Sequence, residues 1–109
     1  MELIPEQNIE VIEKNCFDVK LEDDIDIFFY DGPHDYASQK NALKHFYQNM
    51  NETFIYIADD FNEFEVNKGT MDAIKELDLQ IRFMSFLPSR HNCDQEYYWN
   101  GLGIFKLQK

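Results

Sequence analysis

Basic residues are scarce in this chain: 10 Lys and Arg stand against 21 Asp and Glu, which leaves a formal net charge of −11. Nucleic-acid and anionic-membrane binding rest on clustered Lys and Arg, so neither partner is expected. Cysteine is nearly absent. Cys16 and Cys93 make neither a disulfide framework nor a zinc set, and the expected compartment is the reducing cytoplasm. Long apolar runs are missing too: the densest, Ile25 to Tyr30, is far short of the roughly 20 residues a membrane helix needs, and no basic segment leads into a longer one. With four glycines and three prolines there is no linker-like or low-complexity stretch, and no internal repeat is visible.

Apolar material is abundant. Of 109 residues, 44% are hydrophobic and 16% aromatic, too rich for a disordered tail and enough for one core but not two. The expectation is a single acidic domain over residues 1–109.

Punctuation divides the chain. Ile9 and Val11, within Asn8 to Ile12, alternate as in a short strand. Ile25 to Tyr30 is a continuous β-prone run closed by Asp31-Gly32-Pro33, and unbroken hydrophobicity predicts a central parallel strand covered on both faces. From Asp35, a plausible N-cap, the period becomes helical, with Tyr36, Leu43, Phe46, Tyr47 and Met50 on one stripe and an end at Asn49 to Asn51. Thr53 to Ala58 is a second β-branched and aromatic run, ended by Asp59 and Asp60. A second helix is expected over about Val66 to Leu77, a strand over Leu79 to Leu87, and a last strand over Gly101 to Leu107, after a loop Pro88 to Asn100 too long for a hairpin. Strand-helix-strand units with short connections predict a three-layer α/β sheet, and the last strand, following no helix, is expected to be antiparallel.

In open parallel sheets ligands bind beyond the carboxyl ends of strands, and here those ends carry acids. Asp31 follows one strand and Asp59-Asp60 the next; if the strands are neighbours about 5 Å apart, their carboxylates converge. Hard oxygen ligands at one rim suit Mg²⁺. An Asp after a strand also serves as a turn former or cap, and the pairing of Asp31 with Asp59-Asp60 is what favours the metal reading. His34 is the candidate general base, because histidine's ordinary pKa near 6.5 lets it exchange protons at neutral pH; the plain alternative is a solvated turn histidine. His45 reads as a surface or boundary residue. His91 and Cys93 lack a second pair at zinc spacing. Tyr97, Tyr98 and Trp99 offer stacking surface or edge cover. Gly101 and Gly103 precede no helix, so they are no dinucleotide fingerprint.

The stretch Ile25 to Tyr36 (IDIFFYDGPHDY), the Phe54 to Phe61 run (FIYIADDF), the helix begun near Lys68-Gly69 and the closing Asn100 to Phe105 together resemble the second half of a class I S-adenosylmethionine-dependent methyltransferase. The similarity is to the small-molecule group whose fourth strand ends in Asp-Gly-x-His-x-Tyr and whose fifth ends in Asp-Asp, and it covers the chain from about Asn8 onward. It implies a partial three-layer Rossmann-like methyltransferase sheet, strands three to seven, mostly parallel with a final antiparallel strand. It further implies Mg²⁺ on Asp31, Asp59 and Asp60, and His34 taking the proton of a small hydroxylated substrate as the methyl group transfers. Asn15 and Cys16 match the Gly-Asp that faces the donor's adenine in the family, a departure that weakens donor binding. The glycine-rich cofactor half is not in the chain, so the expected S-adenosylmethionine pocket is incomplete.

A sheet lacking strands one and two is expected to expose an apolar edge at Ile25 to Tyr30, closed by a second copy or another chain. Two other functions fit the same residues: a non-catalytic binding or assembly module that keeps the acidic rim, and a receiver-like phosphoacceptor domain. The second is disfavoured because the acid pair comes after Asp31, and Lys106 lies inside the last strand.

Overall fold

The computed structural model describes residues 9–88 and 101–109. Six elements follow in chain order: β1 (Ile25–Tyr30), α1 (Tyr36–Phe46), β2 (Met50–Asp59), α2 (Phe64–Glu76), β3 (Gln80–Leu87) and β4 (Leu102–Gln108). The sheet order is β1-β2-β4-β3. β1 and β2 are parallel, while β4 is inserted antiparallel to both β2 and β3. Among the described residues no helix is long and apolar enough to cross a membrane.

This corrects the expected architecture. The sheet is four-stranded and mixed, with one parallel pair and two helices, not a mostly parallel three-layer Rossmann-like sheet. The strand expected at Asn8 to Ile12 is not formed over residues 9–12, where Ile9 and Val11 are 65% and 80% exposed. β1 is therefore an edge strand rather than a central one. The physical reason is the direction of winding. The crossover from β1 to β2 through α1 and that from β2 to β3 through α2 both travel the same way across the sheet. Crossovers of one hand travelling one way put their helices on one face, and covering the second face needs a reversal of strand order.

The result is two layers. Tyr30, Phe54, Tyr56, Ala58, Phe105 and Leu107 point to the helix side and are buried with Leu43 and Phe46 of α1 and Val66, Ala73 and Ile74 of α2. Residues of the other parity point away, and Ile27, Phe29 and Phe83 are 63%, 53% and 57% exposed. So the continuous run at Ile25–Tyr30 is not covered on both faces.

Local chemistry sets the helix ends. Asp35 caps α1, its carboxylate accepting from the Ser38 N–H at 2.9 Å. α1 stops at Phe46, tightens into a 3-10 turn over Tyr47–Asn49, and hands Met50 to β2 as a buried first residue, so Met50 is not on the helix stripe. The segment leading into β1 hangs on this turn, with the Asn49 amide donating to the Leu21 carbonyl at 2.7 Å.

The helices touch at a glycine. A Cβ at Gly69 would lie 2.8 Å from both Gln39 Cβ and the Tyr36 carbonyl oxygen, so only glycine permits this approach. Around it run the Tyr36 hydroxyl to Asp72 bond at 2.6 Å and the Lys40–Glu76 ion pair at 2.6 Å. In an open helix Gly→Ala stabilises by about 1 kcal/mol. Here Gly69→Ala is expected to destabilise by about 1–3 kcal/mol, because α1 and α2 must separate. Urea denaturation checks it, and a stabilised variant would contradict the close packing.

Candidate functional site

The register of β1 against β2 builds the site. Tyr30 lies beside Ala58, so the next residue of each strand, Asp31 and Asp59, stand side by side where the chains leave the sheet. Asp60 then turns the chain sharply, with φ of 56°, in the left-handed region that Asp tolerates better than most non-glycine residues. One ligand oxygen from each of Asp31, Asp59 and Asp60 lies within 4.8 Å of the others.

Three contacts hold the Asp60 turn. Its carbonyl accepts from the Glu63 N–H at 2.9 Å, and the next residue's N–H, Phe61, donates to Gly101 O at 3.3 Å. The Phe61 ring, 1% exposed, presses on Gly103, where a Cβ would come within 2.8 Å, and packs against Phe86 and Phe105 at 5.3 and 5.5 Å. Gly101 itself has φ of 85°. These two glycines, unremarkable as a sequence motif, are what lets β4 receive the turn. A glycine on a strand position opposite an Asp-Asp-Phe exit was the available signal, since strand glycines mark close approach.

His34 completes the group. Its Nε2 is 2.7 Å from Asp60 Oδ2, with the histidine half exposed and the carboxylate 9% exposed. A ring nitrogen that bonds a carboxylate carries the hydrogen, so Nε2 is the donor in this pair. The Asp59 carboxyl is pushed up to about 6, first by burial and then by its hydrogen bond with the Asp31 carboxyl, with Asp60 adding like charge. Tyr30, next to Asp31, is pushed up to about 12, mainly by burial and then by the nearby Cys16 and Asp35, so its hydroxyl stays protonated.

The sequence-expected residues thus divide. Asp31, His34, Asp59 and Asp60 come together, whereas Asn15 and Cys16 sit in a 3-10 turn ahead of β1. Asn15 gives its amide oxygen to the Phe17 N–H at 3.0 Å, and the Cys16 thiol faces the Tyr30 hydroxyl. His45 is structural, its Nε2 2.8 Å from the Val19 carbonyl and its ring edge-on to Phe46 and Phe17. It lines a 360 Å³ cavity with Val19, Leu21 and Asn49 that includes none of the carboxylates. His91, Cys93, Tyr97, Tyr98, Trp99 and most of the Pro88 to Asn100 loop lie outside the described residues.

Oxygen ligands around Mg²⁺ sit at about 2.1 Å from it and so at most about 4.2 Å from one another, so the three carboxylates, whose oxygens lie within 4.8 Å, would have to draw closer together to share one small cation. Asp60 can lend one oxygen while Oδ2 holds His34. Asn15 spends its side chain on its own turn and Cys16 is no acid, so these two positions offer a donor no carboxylate.

No protein-family model matches the chain, and no curated protein sequence matches it either.

The raised Asp59 carboxyl has a stability consequence. A carboxyl raised from 3.8 to about 6 on folding contributes stability that is complete below about pH 4 and lost as the pH rises through 6. In chelator-treated buffer, Asp59→Asn is therefore expected to raise the melting temperature relative to the parent at pH 7.5, with the gain shrinking towards pH 4.5. An equal gain at both pH values would contradict the raised carboxyl.

Proposed function

We propose that this chain carries the oxygen-activating half of a class I S-adenosylmethionine-dependent methyltransferase, acting on a small hydroxylated substrate. The observation that carries the reading is the convergence of three carboxylates within 4.8 Å at the ends of two adjacent parallel strands, with His34 bonded to one of them. A divalent cation held by Asp31, Asp59 and Asp60 would supply Lewis-acid chemistry, orienting a substrate hydroxyl and lowering its pKa. The chain's own part is proton handling and positioning. Asp60 holds His34 through Nε2, and in the neutral ring the other nitrogen, Nδ1, receives the hydroxyl proton as the oxygen becomes a nucleophile. The turn clamped by Phe61 on Gly103 keeps Asp60, and with it the imidazole, at a fixed distance from the carboxylate pair. The antiparallel final strand agrees with the resemblance carried by IDIFFYDGPHDY and FIYIADDF. Residues beyond those described, in this polypeptide or another, would have to hold the methyl donor.

A second reading has its own observation. The open apolar sheet face favours a non-catalytic binding or assembly module with a methyltransferase-like acidic rim.

Calorimetric titration of the chain with Mg²⁺ separates the two. The first reading expects saturable binding that Asp31→Asn weakens at least tenfold, about 1.4 kcal/mol. It also expects His34 ring resonances to shift on Mg²⁺ addition in the parent but not in that variant. No heat and unmoved His34 signals would sink the metal-assisted reading.

A further inference from the structure

Among the residues that α1 buries, one is polar. Gln39, Ala42, Leu43 and Phe46 follow the spacing of a single helix face, and Gln39, at 1% exposure, stands where the rest of that face is apolar. Burying an amide costs free energy unless both of its ends are bonded. Here one end is. Gln39 Nε2 donates to the Pro33 carbonyl at 2.7 Å, while Oε1 has no partner among the described residues. Chemistry fixes that orientation, because the group faced is a carbonyl and only the amide nitrogen can donate to it. A methionine or leucine would fill the same space without an orphaned oxygen, so the bond to Pro33 accounts for the glutamine where packing does not.

Pro33 precedes His34, and its carbonyl shares one rigid peptide plane with the His34 N–H. The pyrrolidine ring fixes φ of Pro33 at about −65°, so the bond from Gln39 sets the freedom that remains and with it the plane from which His34 departs. The flanking residues are held too. Gly32 lies against the Tyr30 hydroxyl, where a Cβ would strike the ring, and Asp35 caps α1 through the Ser38 N–H. From the turn after β2, Asp60 takes His34 Nε2 at 2.7 Å. α2 contributes through Gly69, whose missing Cβ leaves room for Gln39.

We propose that Gln39 is a positioning residue for the rim: through the Pro33 carbonyl it fixes the loop that carries Asp31 and His34, so that the imidazole meets Asp60 in one orientation. His34 is thereby held twice, its backbone from α1 and its ring from the turn after β2. The purpose of this hold rests on the proton transfer proposed above; the hold itself is a property of the loop and is measured without metal or substrate.

Nitrogen-15 relaxation of the His34 amide tests this, because that N–H lies in the plane Gln39 holds. The parent is expected to show an order parameter of about 0.85, the value of rigid backbone, and Gln39→Met one below about 0.6. The His34 Nε2 resonance of Gln39→Met is expected to move towards its position in Asp60→Asn, where the carboxylate is gone. The melting temperature of Gln39→Met should stay close to the parent's, because methionine refills the volume and removes the orphaned oxygen. Leu43→Ala, which hollows the same helix face, should lower the melting temperature and leave the His34 amide rigid. An amide as rigid in Gln39→Met as in the parent overturns the proposal, as does an unmoved Nε2 resonance. A His34 amide already mobile in the parent, or one loosened equally by Leu43→Ala, overturns it as well. Gln39→Leu gives the same reading if the methionine variant does not fold. Adding Mg²⁺ to the same samples keeps the two proposals apart: a parent that ignores the ion sinks the metal-assisted reading, while a His34 amide that depends on Gln39 upholds the positioning role.

Discussion

Everything in this molecule follows from two crossovers of one hand travelling in one direction across the sheet. Because β1, β2 and β3 all point the same way and are reached in the order β1-β2-β4-β3, α1 and α2 land together on one face. That constraint makes a core on one side, and among the described residues no helix covers the other. It also gathers the carboxyl ends of β1 and β2 at a single rim, where Asp31 and Asp59 become neighbours through a register that neither residue sets alone.

The rim is held by packing behind it. Phe61 fills the space above Gly103 and donates its N–H to Gly101, so the last strand of the chain fastens the turn that follows β2. Asp60 adopts a left-handed backbone there and reaches His34, while burial and the neighbouring Asp31 hold the Asp59 carboxyl above the usual carboxylate range. Two arrangements of acid therefore sit side by side: one carboxylate bonds an imidazole, and two others stand together at the ends of adjacent strands.

Much of this was legible in the residues. The β-prone run IDIFFY, the cap at Asp35 and the acids closing β1 and β2 are local signals, and each acts where its pattern places it. The burial of β1 was not legible. A continuous apolar strand in a parallel pair reads as doubly covered, yet Ile27 and Phe29 stay exposed because no helix crosses to their side. Ile9 and Val11 alternate like strand residues but lack a paired neighbour in the sheet, and alternation without a hydrogen-bonding partner makes no strand. Asn15 and Cys16, matched by the family resemblance to a donor-facing position, stand in a turn ahead of β1, the cysteine beside Tyr30.

By itself the sequence determined where the four strands and two helices run, though not that residues 9–12 form no strand, together with the acidic charge and the four residues at the rim, because caps, periodicity and strand-ending aspartates are encoded within a few positions. The tertiary structure alone decided that the sheet has two layers, that β4 enters between β2 and β3, and that Gly103 makes room for Phe61. Those outcomes depend on the direction of each crossover and on register between strands far apart in the chain, which no local pattern specifies.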